Sequence, residues 1–295
     1  MDQAVNPAEM ATEALIDLLH SRGRLRVWSL VVTVFGDAIV PRGGRVGLGV
    51  LQDVLGRLRI ESGAVRTAMS RLARDGWVTR ERDGRNAYYR LADQGRHAFD
   101  QATRKIYAPG PPAWNGKWTV VLLPATGAPD SRSVAAEQLA GAGFVAVGDA
   151  AWVRPDTEGA VEPVLPPQAF VMRGRAAPAG SIGWMWDLDE LTRDYRGLIG
   201  DLSPLAKELC SGARLDPLSA LAARVLVNHM WRRIVLRDPE LPETLLPEDW
   251  LGERARAVVR SIYRALAPAS EAWLDEAGLP PATDPARAAS RFGGI

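Results

Sequence analysis

Cysteine is nearly absent: the 295 residues include one, Cys210. No disulfide can form within the chain, and a single thiol excludes a cysteine-based zinc site. Histidine is also scarce, and His20, His97 and His229 lie too far apart in sequence to suggest a metal pair. Long apolar runs are missing. Stretches such as Leu30–Phe35 fall far short of the ~20 residues needed to cross a bilayer. No basic region followed by an apolar core opens the chain, so no signal peptide is expected and the expected location is the cytoplasm. There is no phosphate-cradling P-loop and no Gly-x-Ser-x-Gly nucleophile elbow. These absences argue against an enzyme, a metal centre or a bound cofactor. Lysine is rare too: three of the 36 basic residues (Lys105, Lys117, Lys207), the rest being arginine, a bias that a GC-rich coding sequence explains.

With 47% hydrophobic and 24% charged residues, the chain can bury several cores, and its length suits two to three domains. The net charge of +1 by itself argues against a polyanionic partner. Its distribution argues the other way. Residues 20–107 hold 17 basic and 8 acidic side chains, a net +9, whereas the first 19 residues and residues 108–295 each carry −4. A basic segment joined to a mildly acidic remainder points to a polyanion at one end of the protein.

Residues 1–14 read as a loose tail, with Leu15–His20 opening a short helix. Arg26–Phe35 reads as a buried helix stopped at Gly36-Asp37, and Pro41-Arg42-Gly43-Gly44 as a turn. Leu48–Leu55 has helical apolar spacing. Ser62 is then a good N-cap for a helix to Asp75, whose apolar stripe is Val65, Ala68, Met69 and Leu72. Trp77–Arg82 and Asn86–Leu91 flank Asp83-Gly84, a strong hairpin signal. A helix over Ala92–Ile106 leads to the stiff linker 108–113. Beyond it, Lys117–Leu123, Phe144–Val147, Ala151–Arg154 and Gln168–Arg173 read as strands and Ser131–Ala142 as a helix. That order resembles a ferredoxin-like fold, with prolines 155, 163, 166 and 167 making its second helix short or absent. From Trp184 onward the pattern is helical: Asp187–Ile199, Leu205–Cys210, Leu218–Leu236, Glu253–Leu266 and Ala269–Ala277.

Helix, short helix, turn, helix and hairpin is the order of a winged helix-turn-helix, whose second helix enters the DNA major groove. In Ser62–Asp75 the core stripe leaves Arg66, Thr67, Ser70, Arg71 and Arg74 on other faces. Arg66, Thr67 and Ser70 are nearest the helix start and are the expected base contacts, while Arg71 and Arg74 suit phosphates or a plain charged surface. The hairpin adds Arg80, Arg82 and Arg85, and Arg42 and Arg45 are candidate phosphate contacts. The fold class expected is α+β, with a winged helix-turn-helix over 20–107, a ferredoxin-like βαββ(α)β module over 114–180 and a helical C-terminal domain over 184–290. The alternative for the N-terminal part is a solvated basic face on a small α+β domain.

Several of these segments together resemble the PaaX-type transcriptional regulators. The resemblance rests on Ser29–Asp37 (SLVVTVFGD), Pro41–Gly44, Val65–Ala68 with Arg71-Leu72, Asp75–Trp77, Gly84-Arg85 and Tyr88–Leu91. Near the C-terminus it rests on Arg232-Arg233, Leu236–Pro239, Leu241-Pro242 and Leu246-Pro247 with Asp249-Trp250. It spans about residues 22–275. It implies a homodimeric repressor on double-stranded operator DNA, serving an aromatic-acid catabolic operon and released by an aryl-acyl-CoA effector such as phenylacetyl-CoA. On that footing Trp152, Trp184 and Trp186 are candidates for an aromatic pocket. His229, Arg232, Arg233 and Arg237, in or near the helix 218–236, either bind the effector's phosphates or cap and brace the structure. Two other classes stay open. A metal-dependent nuclease on the central module lacks an acid at the end of its first strand (Leu122-Leu123-Pro124-Ala125), and Asp130 and Asp149 stand alone. A non-catalytic protein-interaction module would bind no DNA.

Overall fold

The computed structural model describes residues 6–23, 25–84, 86–124, 129–158, 160, 162–176 and 183–294. The chain is α+β, with helices and two antiparallel sheets. It divides into two compact units: Met1–Pro109 with Asp194–Leu236 and Gly252–Ile295, and Gly110–Arg193 with Arg237–Leu251. The N-terminal basic segment thus shares one unit with most of the C-terminal helices.

In the first unit, α1 (Pro7–Ser21) begins well before the expected Leu15. Asn6 caps it, its Oδ1 accepting from the Ala8 N–H at 3.1 Å, and Pro7 stands in the first turn, where its missing N–H costs nothing. Val27–Val34 forms α2, and the stop expected at Gly36 does not occur. The chain winds on as a π-turn over Phe35–Ile39 and a 3-10 turn over Val40–Arg42. Gly36 serves close packing instead: a Cβ there would sit 3.1 Å from the Phe99 ring. The turn ends at Gly43, whose φ of +90° suits glycine.

A strand that sequence periodicity did not reveal, β1 (Arg45–Gly47), precedes α3 (Leu48–Arg57) and α4 (Ser62–Arg74). Three residues are too few to show an alternation. The cap of α4 is Glu61, and Ser62 is its first helical residue, so the Ser62 cap is corrected. β2 (Val78–Asp83) and β3 (Asn86–Leu91) form the hairpin, with Gly84 at φ +60° in its turn. The sheet order is β1-β3-β2, with Tyr89 opposite both Val46 and Arg80. α5 (Asp93–Ile106) follows.

The second unit holds β4 (Trp114–Leu122), α6 (Pro129–Gly141), β5 (Val145–Val147), β6 (Ala151–Thr157) and β7 (Phe170–Arg175). All pairs are antiparallel, in the order β5-β6-β4-β7. Val121, Leu123, Ala135, Leu139 and Phe144 form its core. Among the described residues between β6 and β7 there is no helix, because the prolines there supply no N–H to a helical ladder.

Among the described residues three long helices follow: α7 (Leu188–Cys210), α8 (Pro217–Val235) and α9 (Gly252–Glu276). Two of them each merge a pair of expected helices, running through Pro204 and Pro268. An internal proline costs ~3 kcal/mol. In α7 the buried stripe Leu198, Leu202, Leu205 and Leu209 continues across it, and each buried leucine contributes ~1.5–3 kcal/mol. Burial therefore outweighs the break. A short α10 (Pro285–Ala289) and a 3-10 turn over Arg291–Gly293 end the described chain.

Candidate nucleic-acid interface and the acid–base hub behind it

α4 turns Val65, Ala68, Met69 and Leu72 inward, all at most 6% exposed, and packs them toward α2 and α3. The 3.6-residue period then fixes what faces out: Ser62, Arg66, Thr67, Ser70, Arg71 and Arg74 are all exposed. Arg66 has no carboxylate partner among the described residues. The Thr67 hydroxyl donates to the Gly63 carbonyl at 3.0 Å, which leaves its methyl and a lone pair outward. Arg71 shares Asp75 with Arg74 at 3.5 and 3.4 Å, and its guanidinium lies 5.5 Å from the Trp28 ring.

On β2 the two-residue period puts Arg80 and Arg82 on one face and Glu81 and Asp83 on the other. Arg80 and Arg82 are exposed, with no ion-pair partner among the described residues. Arg85 lies outside those residues. Glu81 receives Arg90 at 2.9 Å and Arg45 at 3.0 Å. Those two guanidinium groups, Arg90 foremost, hold its carboxyl below the usual carboxylate range. Arg45 also reaches Asp83 at 3.5 Å and stacks 3.8 Å over the Tyr88 ring. Its charge is largely spent inside the sheet.

Arg42 is a correction. Only 4% exposed, it binds Glu271 at 2.7 Å, Asp275 at 2.7 Å and the Pro280 carbonyl at 3.0 Å, so it has no reach to a phosphate. It belongs to a buried network centred on Asp37, a residue that reads from sequence alone as part of a helix stop. Asp37 accepts from Tyr107 at 2.6 Å, Tyr263 at 2.8 Å, Arg224 at 2.7 Å and Arg291 at 3.1 Å. Burial alone would raise its pKa, but Arg224, Arg291 and the Tyr107 hydroxyl hold the carboxyl below its ordinary value. Arg224 passes on to Glu271 at 2.7 Å, and Glu271 to Arg42. One chain of charges therefore ties the turn after α2 to α8, α9 and the C-terminal turn.

Of the residues expected to meet an effector, His229, Arg232 and Arg233 lie in the first unit; Trp152, Trp184, Trp186 and Arg237 belong to the second. His229 is buried on α8 and meets the Thr33 hydroxyl at 3.1 Å. Burial, with Arg232 and Arg233 near, lowers its pKa to about 3, so it is neutral at physiological pH. The Thr33 hydroxyl donates to the Ser29 carbonyl at 3.0 Å and accepts from Arg232 at 3.0 Å; its second lone pair suits an Nδ1–H of His229. Arg233 is exposed. In the second unit, Trp152 packs half-buried on the Val121–Phe144 core, Trp184 is 70% exposed, and Arg237 pairs with Glu190 at 3.3 Å on the surface. Trp152 thus fills a core.

Among the described residues no three His, Cys, Asp or Glu side chains are grouped to hold a metal ion, and no helix is long and apolar enough to cross a membrane.

Two family profiles match this chain: "PaaX-like protein" over residues 26–95 and "PaaX-like protein C-terminal domain" over residues 186–276. The transcriptional repressor PaaX of Escherichia coli (strain K12) is 34% identical over 266 residues, covering 85% of this chain and 83% of that protein. Among solved structures, the uncharacterized protein Rv0674 from Mycobacterium tuberculosis superposes with a TM-score of 0.56 at 24% identity, over 83% of this chain and 97% of that one. At that identity it supports the fold alone.

Proposed function

This chain belongs to the PaaX family, and from that premise we propose that α4 and the β2–β3 hairpin are the DNA-reading parts of a winged helix-turn-helix. It is a DNA-binding transcriptional repressor. The observation that carries the assignment of the reading head is the outward face of α4, where Arg66 stands free beside Thr67 and Ser70. A helix fits the major groove, and a free guanidinium can donate two hydrogen bonds to guanine O6 and N7. The outward methyl of Thr67 suits a thymine methyl. Ser62, Arg71, Arg74, Arg80 and Arg82 fall where phosphates would run, with Arg85 at the hairpin tip as a further candidate from sequence.

Two copies would read two half-sites of an operator, since a twofold dimer matches a palindromic site. The second unit, with the ferredoxin-like order β5-β6-β4-β7 and no helix between β6 and β7 among the described residues, is the spacing or dimerising element of that reading. The effector is an aryl-acyl-CoA, as the family resemblance implies, and the protein acts in the cytoplasm, where the operator is. The effector releases DNA only through different affinities for the bound and free states.

The test is binding of the full-length protein to its own upstream region, by fluorescence anisotropy between 50 and 200 mM salt. Four phosphate-facing arginines per protomer predict a slope of about −7 in the logarithm of affinity against that of salt for a dimer. A slope near zero, or equal affinity for scrambled DNA, would refute the assignment.

A further inference from the structure

Helix α1 carries its acids in a line. Glu9, Glu13 and Asp17 are spaced four residues apart, so the helical period sets them along one side, next to the buried stripe Ala8, Thr12, Leu15 and Ile16. That line meets two arginines, one ending α3 and one in the turn into α4. Arg57 bonds Glu9 and, at 2.7 Å, Glu13, while its Nε donates to the Ser219 hydroxyl at 2.8 Å. Arg59 bonds Glu13 and, at 2.6 Å, Asp17. The His20 ring, near the end of α1, meets the Leu58 carbonyl at 2.9 Å and pins the helix along the turn.

The two arginines differ in how freely they can leave. Arg57 has a side chain only 19% exposed and joins α1, α3 and the start of α8, so it is a brace. The Arg59 side chain is 50% exposed, and those of its partners Glu13 and Asp17 are 35% and 68% exposed. An exposed ion pair contributes little to folding, so exchanging one partner costs little. Arg59 also has a left-handed backbone, with φ +60°, which a residue with a Cβ seldom adopts and glycine adopts freely. The fold alone gives no reason for an arginine there.

Its place in the reading head supplies one. In a helix-turn-helix the first helix crosses the DNA backbone while the start of the second enters the major groove. Here those are α3 and α4. Arg59 stands three residues before Ser62, the first residue of α4, and so within about 10 Å of it along the chain. A guanidinium on that turn is within reach of the strand that flanks the groove.

We propose that Arg59 is a further DNA-phosphate contact held in reserve, and that Glu13 and Asp17 of α1 stand in for the phosphate and so lower affinity for DNA of any sequence. Carboxylate and phosphate compete for the same planar fork of donors. Helix α1 is then an autoinhibitory strip, anchored by Arg57 and yielding at Arg59. This inference rests on the reading of α4 as the helix that enters the groove.

The experiment is fluorescence anisotropy on the full-length protein, with its own upstream DNA and with scrambled DNA, between 50 and 200 mM salt. Glu13→Gln combined with Asp17→Asn leaves Arg59 free. In a dimer that adds two phosphate contacts, so the salt slope steepens by about 2, and the gain in affinity grows about tenfold from 200 to 50 mM salt on both DNAs. Adding Arg59→Gln to that variant returns the slope to the wild-type value. Asp17→Asn alone gives part of the gain and serves if the double variant does not fold, since Asp17 pairs with Arg59 and with no other cation among the described residues. A gain that survives Arg59→Gln shows only that the carboxylates repel DNA, and it overturns the proposal, as does an unchanged slope in a folded variant. A wild-type protein without a salt slope overturns the reading of α4 and this proposal with it; a wild-type slope with unresponsive variants overturns this proposal alone.

Discussion

Replacing Asp37 by Asn tests whether the buried hub holds the first unit together. Asn keeps the shape and can still accept from Tyr107 and Tyr263, but it removes the charge that faces Arg224 and Arg291. Arg224 retains Glu271; Arg291 is left with no carboxylate among the described residues. Removing one partner of a buried ion pair costs about 3–5 kcal/mol, mostly because the other charge stays buried and unpaired. For a cooperative unit of this size each kcal/mol moves the melting temperature by about 2–4 °C, so Asp37→Asn lowers it by roughly 10 °C. The assay is reversible thermal and urea unfolding followed by circular dichroism. Asp37→Asn combined with Arg291→Met recovers at least ~1 kcal/mol over the sum of the single changes, since the double variant no longer strands a charge there. The pH dependence adds a sign. The folded-state pKa of Asp37 lies below its ordinary 3.8, so its contribution is full above that value and lost as pH falls through the folded pKa. The gap between wild type and Asp37→Asn is therefore constant above about pH 5 and closes in acid. A variant that melts within 2 °C of wild type, or strict additivity in the double variant, refutes the reasoning.

Arg66→Ala relaxes base preference at one operator position by about 1–3 kcal/mol, whereas Arg82→Ala weakens all DNA alike and reduces the salt slope by about 1 per site; equal losses on every sequence for both would sink that division. Arg42→Met leaves the salt slope unchanged but destabilises the fold by roughly 3 kcal/mol, because Glu271 and Asp275 lose a 4%-exposed partner; a changed slope in a stably folded variant contradicts its burial. His229, with a pKa of about 3, binds no proton in the folded state between pH 4 and 6, while the unfolded chain binds one below about 6.5. Wild type therefore loses up to about 1.4 kcal/mol per pH unit on acidification below about 6.5 that His229→Gln does not lose. Parallel stability profiles for the two would show that the imidazole is not buried neutral.

The elements legible in the sequence are those whose pattern is local. The stripe of α4 was readable because its four apolar positions recur at helical spacing, and β3 because Asp83-Gly84 marks a turn between two alternating runs. What escaped was set by contacts distant in sequence. The turn after α2 runs through Gly36 because Phe99 packs on that glycine and Asp37 finds four partners between residues 107 and 291. α7 and α9 run through Pro204 and Pro268 because their buried stripes continue on both sides. The start of α1 has a local signal too, the Asn6 cap followed by Pro7, although residues 1–14 read as a loose tail.

Charge shows the division most directly. The amino-acid sequence by itself determined that basic residues concentrate in 20–107 and that α4 must present Arg66, Thr67 and Ser70 outward, since helical period and burial of Val65 and Met69 leave no other choice. Tertiary structure decided which of those charges remain available. The acidic first helix folds back so that Glu9, Glu13 and Asp17 pair with Arg57 and Arg59. Asp201 takes Arg22, Glu271 and Asp275 take Arg42, and Glu81 takes Arg45 and Arg90. A guanidinium that leaves bulk water needs a carboxylate close by, and packing supplies one. Among the described residues, Arg66, Arg80 and Arg82 have no carboxylate and face solvent, and Arg232 has none and faces a cavity. Periodicity put the first three on the surface; only the packing of α8 against α2 and α5 made the fourth.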